Sequence, residues 1–171
     1  MILDKPGVLS RAQDLTYGSA ASTDQIKMTA KAWSGYTDLF LVVDTETIAT
    51  GDGNDTYNYE LRVATSEALT TYLQVLCVDI TGYADARLAT AGNHVLNINV
   101  GKAVRDRAQA LRVAQSLTDA SYIYVGLYST VSDGATHSIN AALSPTEPQS
   151  DYFAQPVWSN VGVPGRCSAA S

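Results

Sequence analysis

The chain has 171 residues, enough for one domain with its own core. Its 17 acidic and 11 basic residues give a formal charge of −6, and the densest basic stretch, Arg105-Asp106-Arg107, is interrupted by an acid. Nucleic-acid binding needs basic residues clustered on one face, so we expect no nucleic-acid partner. The start of the chain lacks the pattern of a signal peptide and no apolar run has the length of a membrane span, so we expect no membrane association.

The prolines divide the chain into three parts. Proline lacks an amide donor and is excluded from central strands. The proline-free stretch from Gly7 to Ser144 therefore outlines the sheet-forming body. We expect an amino-terminal arm over residues 1–23, a jelly-roll β-sandwich over residues 24–143 and an extended carboxyl-terminal arm over residues 144–171. The five prolines that outline these parts are Pro6, Pro145, Pro148, Pro156 and Pro164.

Short β-patterned runs recur between the arms. Strict alternation over residues 57–63 places Tyr57, Tyr59, Leu61 and Val63 on one face of a strand. Residues 102–113 contain good helix formers, and we expect at most one helical turn there before a strand begins at Ala110. Many short strands with few helical signals predict an all-β fold, a jelly-roll-like antiparallel β-sandwich. The predicted strands cover residues 25–30, 39–43, 57–63, 72–78, 96–100, 110–115, 122–128 and 136–143.

The sequence contains no motif that indicates catalysis or a bound cofactor. The two histidines, His94 and His137, lie in no recognisable motif and are best explained as surface or sheet residues. The oxygen-rich stretch Asp52-Gly53-Asn54-Asp55 has Val63 where an EF-hand has its closing acidic ligand. A solvated hairpin loop is therefore favoured there, with calcium binding left open. We expect no catalytic residues, no cofactor and no metal.

The cysteines do not indicate a disulfide framework. Cys77 lies within an apolar run and is expected to be a small core residue, whereas Cys167 lies in the polar tail. The two pair only if the tail folds back across the domain. We expect two free thiols, which suits a reducing cytoplasm.

Tyrosine is unusually frequent and clustered, with 10 tyrosines against 2 tryptophans and 2 phenylalanines. Alternation over residues 122–128 places three tyrosines on the face opposite the aliphatic side chains. Tyrosine is well suited to interfaces, although a cross-strand tyrosine ladder explains the pattern equally well. Aromatic residues in the tail also need a surface to dock on. The candidate interface residues are Tyr122, Tyr124, Tyr128, Tyr152, Phe153 and Trp158.

Several segments resemble one protein family. They are Met1-Ile2-Leu3-Asp4, Ala12-Gln13-Asp14-Leu15-Thr16 and the run Ala20 to Ile26, with weaker likeness at 41–45, 61–66 and 110–113. In these segments the chain resembles the jelly-roll capsid cement (decoration) proteins of tailed bacteriophages. After Leu143 it departs from the pattern, because its arm is longer and more aromatic, which leaves the role of the arm open.

The resemblance implies a structural role. It predicts a jelly roll that self-associates as a homodimer or homotrimer and binds the major capsid protein on the outer surface of an assembled head. There it would stabilise contacts between capsid subunits in the virion, after synthesis in the host cytoplasm. A carbohydrate-binding jelly roll is the alternative, since one fold hosts many functions. An enzyme ranks last because no motif supports it.

Overall fold

A computed structural model describes residues 7–36, 38–82, 84–85, 87–89, 94–132 and 136–145 of the chain. Over these residues the chain forms mainly antiparallel strands with two helices between them. The strands are β1 (Gly7–Leu15), β2 (Gly18–Ala21), β3 (Ile26–Thr29), β4 (Phe40–Thr50), β5 (Thr56–Ala64), β6 (Tyr72–Thr81), β7 (His94–Asn99), β8 (Tyr122–Val131) and β9 (Thr136–Ser144). The helices are α1 (Ala30–Trp33) and α2 (Gly101–Ala114).

The strands form two packed sheets with jelly-roll topology. One sheet has four strands in the order β1-β9-β4-β7. The other has five, in the order β2-β8-β5-β6, with β3 also pairing with β8. The strand pairs nest inside one another, as in a single long hairpin that is folded over. From the ends of the ribbon to its tip they are β1 with β9, β2 and β3 with β8, β4 with β7, and β5 with β6. Wrapping this ribbon adds the pairs β4–β9 and β5–β8, which is how a jelly roll is built. The predicted all-β sandwich is confirmed.

The core lies between the inward faces of the two sheets. Tyr57, Tyr59, Leu61 and Val63 are all 0% exposed, as the alternation predicted. Side chains that alternate along a strand share one face, so β5 presents this whole set to the opposite sheet. The inward face of β8, from Ile123 to Leu127, packs into the same core.

Residues 101–114 form a helix, so the prediction of one turn followed by a strand at Ala110 is wrong. Val104, Ala108 and Leu111 are buried in the core. Their spacing of four and three residues places them on one helical face. The helix joins β7 in one sheet to β8 in the other, and its apolar face covers the core between them. Neither helix in the described part of the chain is long and apolar enough to cross a membrane.

Residues 7–23 belong to the sandwich and not to an arm. Gly7–Leu15 pairs with β9, and Gly18–Ala21 pairs with β8. These segments are strands because β9 and β8 present a second set of backbone groups that need partners. The last described strand, β9, ends at Ser144. Residues 1–6 and 146–171, which include most of the predicted carboxyl-terminal arm, lie outside the described residues.

The stretch Asp52-Gly53-Asn54-Asp55 connects strands of different sheets and is therefore not a hairpin loop. Its carboxylates bind its own backbone. Asp55 Oδ2 accepts a hydrogen bond from the amide of Asp52 at 2.8 Å, and Asp52 Oδ1 accepts one from the amide of Asn54 at 2.8 Å. Asp55 is 1% exposed, so it is a structural residue of the turn.

A buried polar contact joins the two sheets. The Tyr59 hydroxyl on β5 is hydrogen-bonded to Nε2 of His137 on β9. The Tyr57 ring meets the imidazole edge-on, with centroids 4.9 Å apart. His137 is 3% exposed, and its Nδ1 has no hydrogen-bond partner among the described residues. Burial lowers the pKa of His137 to about 4, so the imidazole is neutral at neutral pH.

The buried histidine predicts a loss of stability in mild acid. The pKa of His137 is about 4 in the folded chain, against an ordinary 6.5. Between these values the unfolded chain binds a proton that the folded chain does not. The contribution of the neutral His137 to the free energy of unfolding is therefore fully present above pH 6.5. As the pH is lowered from 6.5 to about 4, the free energy of unfolding should fall by about 1.4 kcal/mol per pH unit.

Urea titrations of the wild type and His137→Phe at several pH values measure this effect. The variant should lose the additional pH dependence, even if its stability at pH 7 is lower. Equal slopes in the two proteins would contradict a buried neutral His137.

Candidate interaction face

Three of the predicted interface residues lie together on the outer side of the five-stranded sheet. Tyr122, Tyr124 and Tyr128 point away from the core, because they alternate with the buried Ile123 and Leu127. Tyr122 is 53% exposed, whereas Tyr124 and Tyr128 are half-buried. The other three candidates, Tyr152, Phe153 and Trp158, lie outside the described residues. We call the outer side of β3, β8, β5 and β6 the tyrosine face.

An arginine organises the centre of the tyrosine face. The Arg62 guanidinium lies between two rings, with its carbon 3.7 Å from the centroid of Tyr72 and 3.6 Å from that of Tyr128. Its Nε and Nη2 donate to Glu60 Oε2 at 2.8 and 2.6 Å. Its Nη1 donates to the carbonyl oxygen of Leu69 at 3.1 Å. Each of the three nitrogens thus makes a hydrogen bond within the chain, and the guanidinium holds both rings in place.

A lysine lies over the other two tyrosines of this face. Lys27 on β3 lies directly opposite Tyr124 on β8. Its Nζ is 4.5 Å from the Tyr122 ring centroid and 5.5 Å from that of Tyr124. Hydrogen bonding to Tyr124 raises the pKa of Lys27 above its ordinary 10.5, so the ammonium remains charged. A cation over an aromatic face is held by the ring quadrupole, which orders these exposed side chains.

The loop between β5 and β6 folds back onto the tyrosine face. Leu69, at its centre, is 0% exposed and adopts φ +54°, a left-handed conformation that is rare for leucine. It lies over Gly126 of β8. A Cβ on Gly126 would come within 2.8 Å of Leu69 Cδ1 and 3.0 Å of Gln25 Cγ. The absence of a side chain at residue 126 therefore makes room for the loop.

Cys77 lies on the same side of the sheet, opposite Glu60 in the β5–β6 register. It is 7% exposed, but it is not part of the core between the sheets. Cys77 is disulfide-bonded, so the expectation of a free thiol is wrong. The sequence contains one other cysteine, Cys167, which lies outside the described residues.

The tyrosine face is an ordered set of aromatic and charged side chains outside the core. It combines flat rings with two cations that hold them in place, and ordering side chains in advance reduces the entropy lost on binding. Within the described ranges, no three His, Cys, Asp or Glu side chains are grouped so as to hold a metal ion. The buried His137, with its pKa near 4, does not exchange a proton near neutral pH.

Sequence reasoning found the tyrosines but missed the charged residues that hold them. Arg62 alternates with the buried Leu61 and Val63, so the strand pattern already places it outside the core. Its contact with Tyr128, 66 positions further along the sequence, depends on the pairing of β5 with β8. The alternation of a single strand does not carry that information.

No protein-family model matches the chain, and a comparison with curated proteins finds no significant match.

Loss of the Arg62 charge should destabilise the fold. The Arg62 and Glu60 side chains are 11% and 8% exposed, and removal of one partner leaves a carboxylate with little access to water. We expect Arg62→Met, which retains the apolar stem, to lower the free energy of unfolding in urea by about 3 kcal/mol.

Arg105→Met is the matched control, because the ion pair between Arg105 and Asp106 is 33% and 49% exposed. Its unfolding midpoint should stay close to that of the wild type. If the two variants have equal effects, the Arg62 pair contributes no more than a surface ion pair.

Gly126→Ala tests the packing of the β5–β6 loop. Because Leu69 is fully buried, its Cδ1 cannot move away from a new methyl group without displacing the loop. We expect thermal unfolding to show a loss of about 1–3 kcal/mol. Gly53→Ala, where a Cβ would meet nothing within 4 Å, should be nearly neutral. A neutral Gly126→Ala would mean that Leu69 does not occupy this position.

Proposed function

We propose that the protein is a structural capsid decoration protein, which binds the outer surface of an assembled phage head through the tyrosine face and stabilises contacts between major capsid subunits. In this proposal it acts on the capsid exterior as a homodimer or homotrimer and catalyses no reaction. The observation that carries the proposal is the ordered set of tyrosines outside the core, held by Arg62 and Lys27.

The composition of this face favours a protein partner. Tyrosine and arginine are enriched at the energetically important positions of protein–protein interfaces. Tyr122 is 53% exposed, and Tyr72 on the neighbouring hairpin is 36% exposed. Large exposed aromatic side chains that are already ordered gain contact area at little entropic cost. Within the proposal, this partner is the major capsid protein, because the opening segments of the chain resemble those of capsid cement proteins.

Carbohydrate binding is less well supported. Stacking on a pyranose ring requires a free aromatic face. The Arg62 guanidinium covers one face of Tyr72 and one face of Tyr128, and Lys27 lies over Tyr122. These contacts leave fewer ring faces for a sugar, whereas a protein surface can also contact ring edges and hydroxyls.

The test is co-sedimentation with expanded phage heads that lack their decoration protein, taken from the phage that encodes the chain. Wild-type protein should bind with saturation and raise the melting temperature of the heads. Tyr122→Ser and Tyr124→Ser should each weaken binding about tenfold or more, because they remove ring area from the contact.

Tyr17→Ser is the control for these variants. Tyr17 is 73% exposed but lies in the connection between β1 and β2, away from the tyrosine face. The Tyr17→Ser variant should therefore bind the heads as the wild type does. Equal binding by all three variants would remove the tyrosine face from the contact. No binding of wild-type protein to these heads, together with binding in a glycan array, would replace the capsid proposal by the carbohydrate alternative.

A further inference from the structure

Basic residues are concentrated on the two helices and on the connection from α2 to β8. Residues 30–33 and 101–121 contain five of the 11 basic residues of the chain but only two of its 17 acidic residues. These segments therefore carry a net charge of +3, although the whole chain carries −6. We call their cationic side chains the basic helical surface, which consists of Lys31, Lys102, Arg105, Arg107 and Arg112.

The two aspartates of these segments neutralise only part of the positive charge. Asp106 forms ion pairs with Lys102 at 2.5 Å and with Arg105 at 3.4 Å. Asp119 pairs with Arg112 at 2.6 Å. The other two cations, Lys31 and Arg107, are exposed and form no ion pair within the described part of the chain. Positive charge therefore remains accessible to a partner on both helices.

The basic helical surface is continuous with the tyrosine face. β3 pairs with β8 as far as Tyr122, and α1 follows β3 directly. The amide of Lys31 then donates to the carbonyl oxygen of Asp119 at 3.3 Å, and the carboxylate of Asp119 binds Arg112 on α2. Exposed apolar side chains lie at both ends of this connection, since Val113 is 70% exposed and Tyr122 is 53% exposed.

We propose that the basic helical surface contacts an acidic surface of a protein partner, next to the contact made by the tyrosine face. Opposite charges attract the partner and orient the encounter, so the helices turn towards it while the acidic remainder of the chain is repelled. Val113 and Tyr122 supply apolar area within the same contact. The inference rests on the proposed function only for the identity of the partner, which is there the major capsid protein.

A nucleic acid fits this surface less well than a protein does. Double-stranded DNA carries one negative charge per roughly 1.7 Å of its axis. Asp106 and Asp119 lie among the cations, and a continuous row of phosphates would meet them as well. A folded protein can place carboxylates opposite the cations alone, which is the complementarity found at protein interfaces.

Binding of the full-length protein to immobilised poly-L-glutamate tests the charge requirement without a capsid. At about 0.15 M ionic strength the wild type should bind. Lys31→Glu and Arg107→Glu should each weaken binding about fivefold, because each replaces an attraction by a repulsion. Both differences should largely disappear at about 1 M salt, where the screening length is about 3 Å.

Arg11→Glu is the matched control, because it changes the net charge equally but is exposed on β1 of the four-stranded sheet. It should bind poly-L-glutamate as the wild type does. All three variants should keep the wild-type melting temperature, since exposed side chains are replaced. Absence of wild-type binding, an equal loss in Arg11→Glu, or tighter binding to duplex DNA than to poly-L-glutamate would each overturn the inference.

Co-sedimentation with undecorated phage heads separates this inference from the proposed function. If the wild type binds poly-L-glutamate with the expected charge dependence but does not bind heads, the capsid proposal fails and the acidic protein partner stands. If the wild type binds heads and both Lys31→Glu and Arg107→Glu bind them equally well, the inference fails and the capsid proposal stands. Weaker binding of these two variants to heads, with Arg11→Glu unchanged, would support both.

Discussion

The four inner strands β4, β5, β8 and β9 must satisfy backbone groups on both of their edges. Each does so by pairing with strands on both sides, with β2 and β3 sharing one edge of β8. This requirement holds the two halves of the chain together as a nested ribbon. The sheets then pack through their inward faces, which is where the alternating aliphatic and tyrosine side chains of β5 are buried. Once that packing is set, the outward residues of β5 and β8 have no remaining role in the core.

Those outward residues form a second, smaller structure. Arg62 contacts Glu60 on its own strand, Tyr128 on the next strand, Tyr72 on the hairpin and the carbonyl of Leu69 in the loop. One side chain therefore fixes the loop and two of the four tyrosines. The rings that it holds stand on strands of the sheet and on the hairpin beside it, so the sheet itself keeps them in place.

Much of the fold was predictable because burial leaves a local signal. Alternation identified the inward faces of β5 and β8, and the predicted all-β sandwich is confirmed. The length of the helix at 101–114 was underestimated because a short apolar run fits the period of a helix and that of a strand equally well. The choice between them depends on packing against the neighbouring sheets, which the local sequence does not show. The assignment of residues 7–23 to an arm failed for a related reason, since β1 and β2 gain their partners from strands near the other end of the chain. The contacts of Arg62 and Lys27 with the tyrosines likewise depend on pairing between strands that are far apart in the sequence.

The nested ribbon also determines when the protein can fold during synthesis. β1, which begins at Gly7, pairs with β9, which ends at Ser144. β1 therefore leaves the ribosome long before its partner β9, and the four-stranded sheet cannot be completed on a nascent chain that still lacks β9. Among the described strands, only β5 and β6 are consecutive in sequence and paired with each other, so this hairpin is the natural place for structure to begin. Until β9 emerges, the edge of β4 that it will cover is open to other chains, and crowded synthesis of many copies favours wrong pairing at this step.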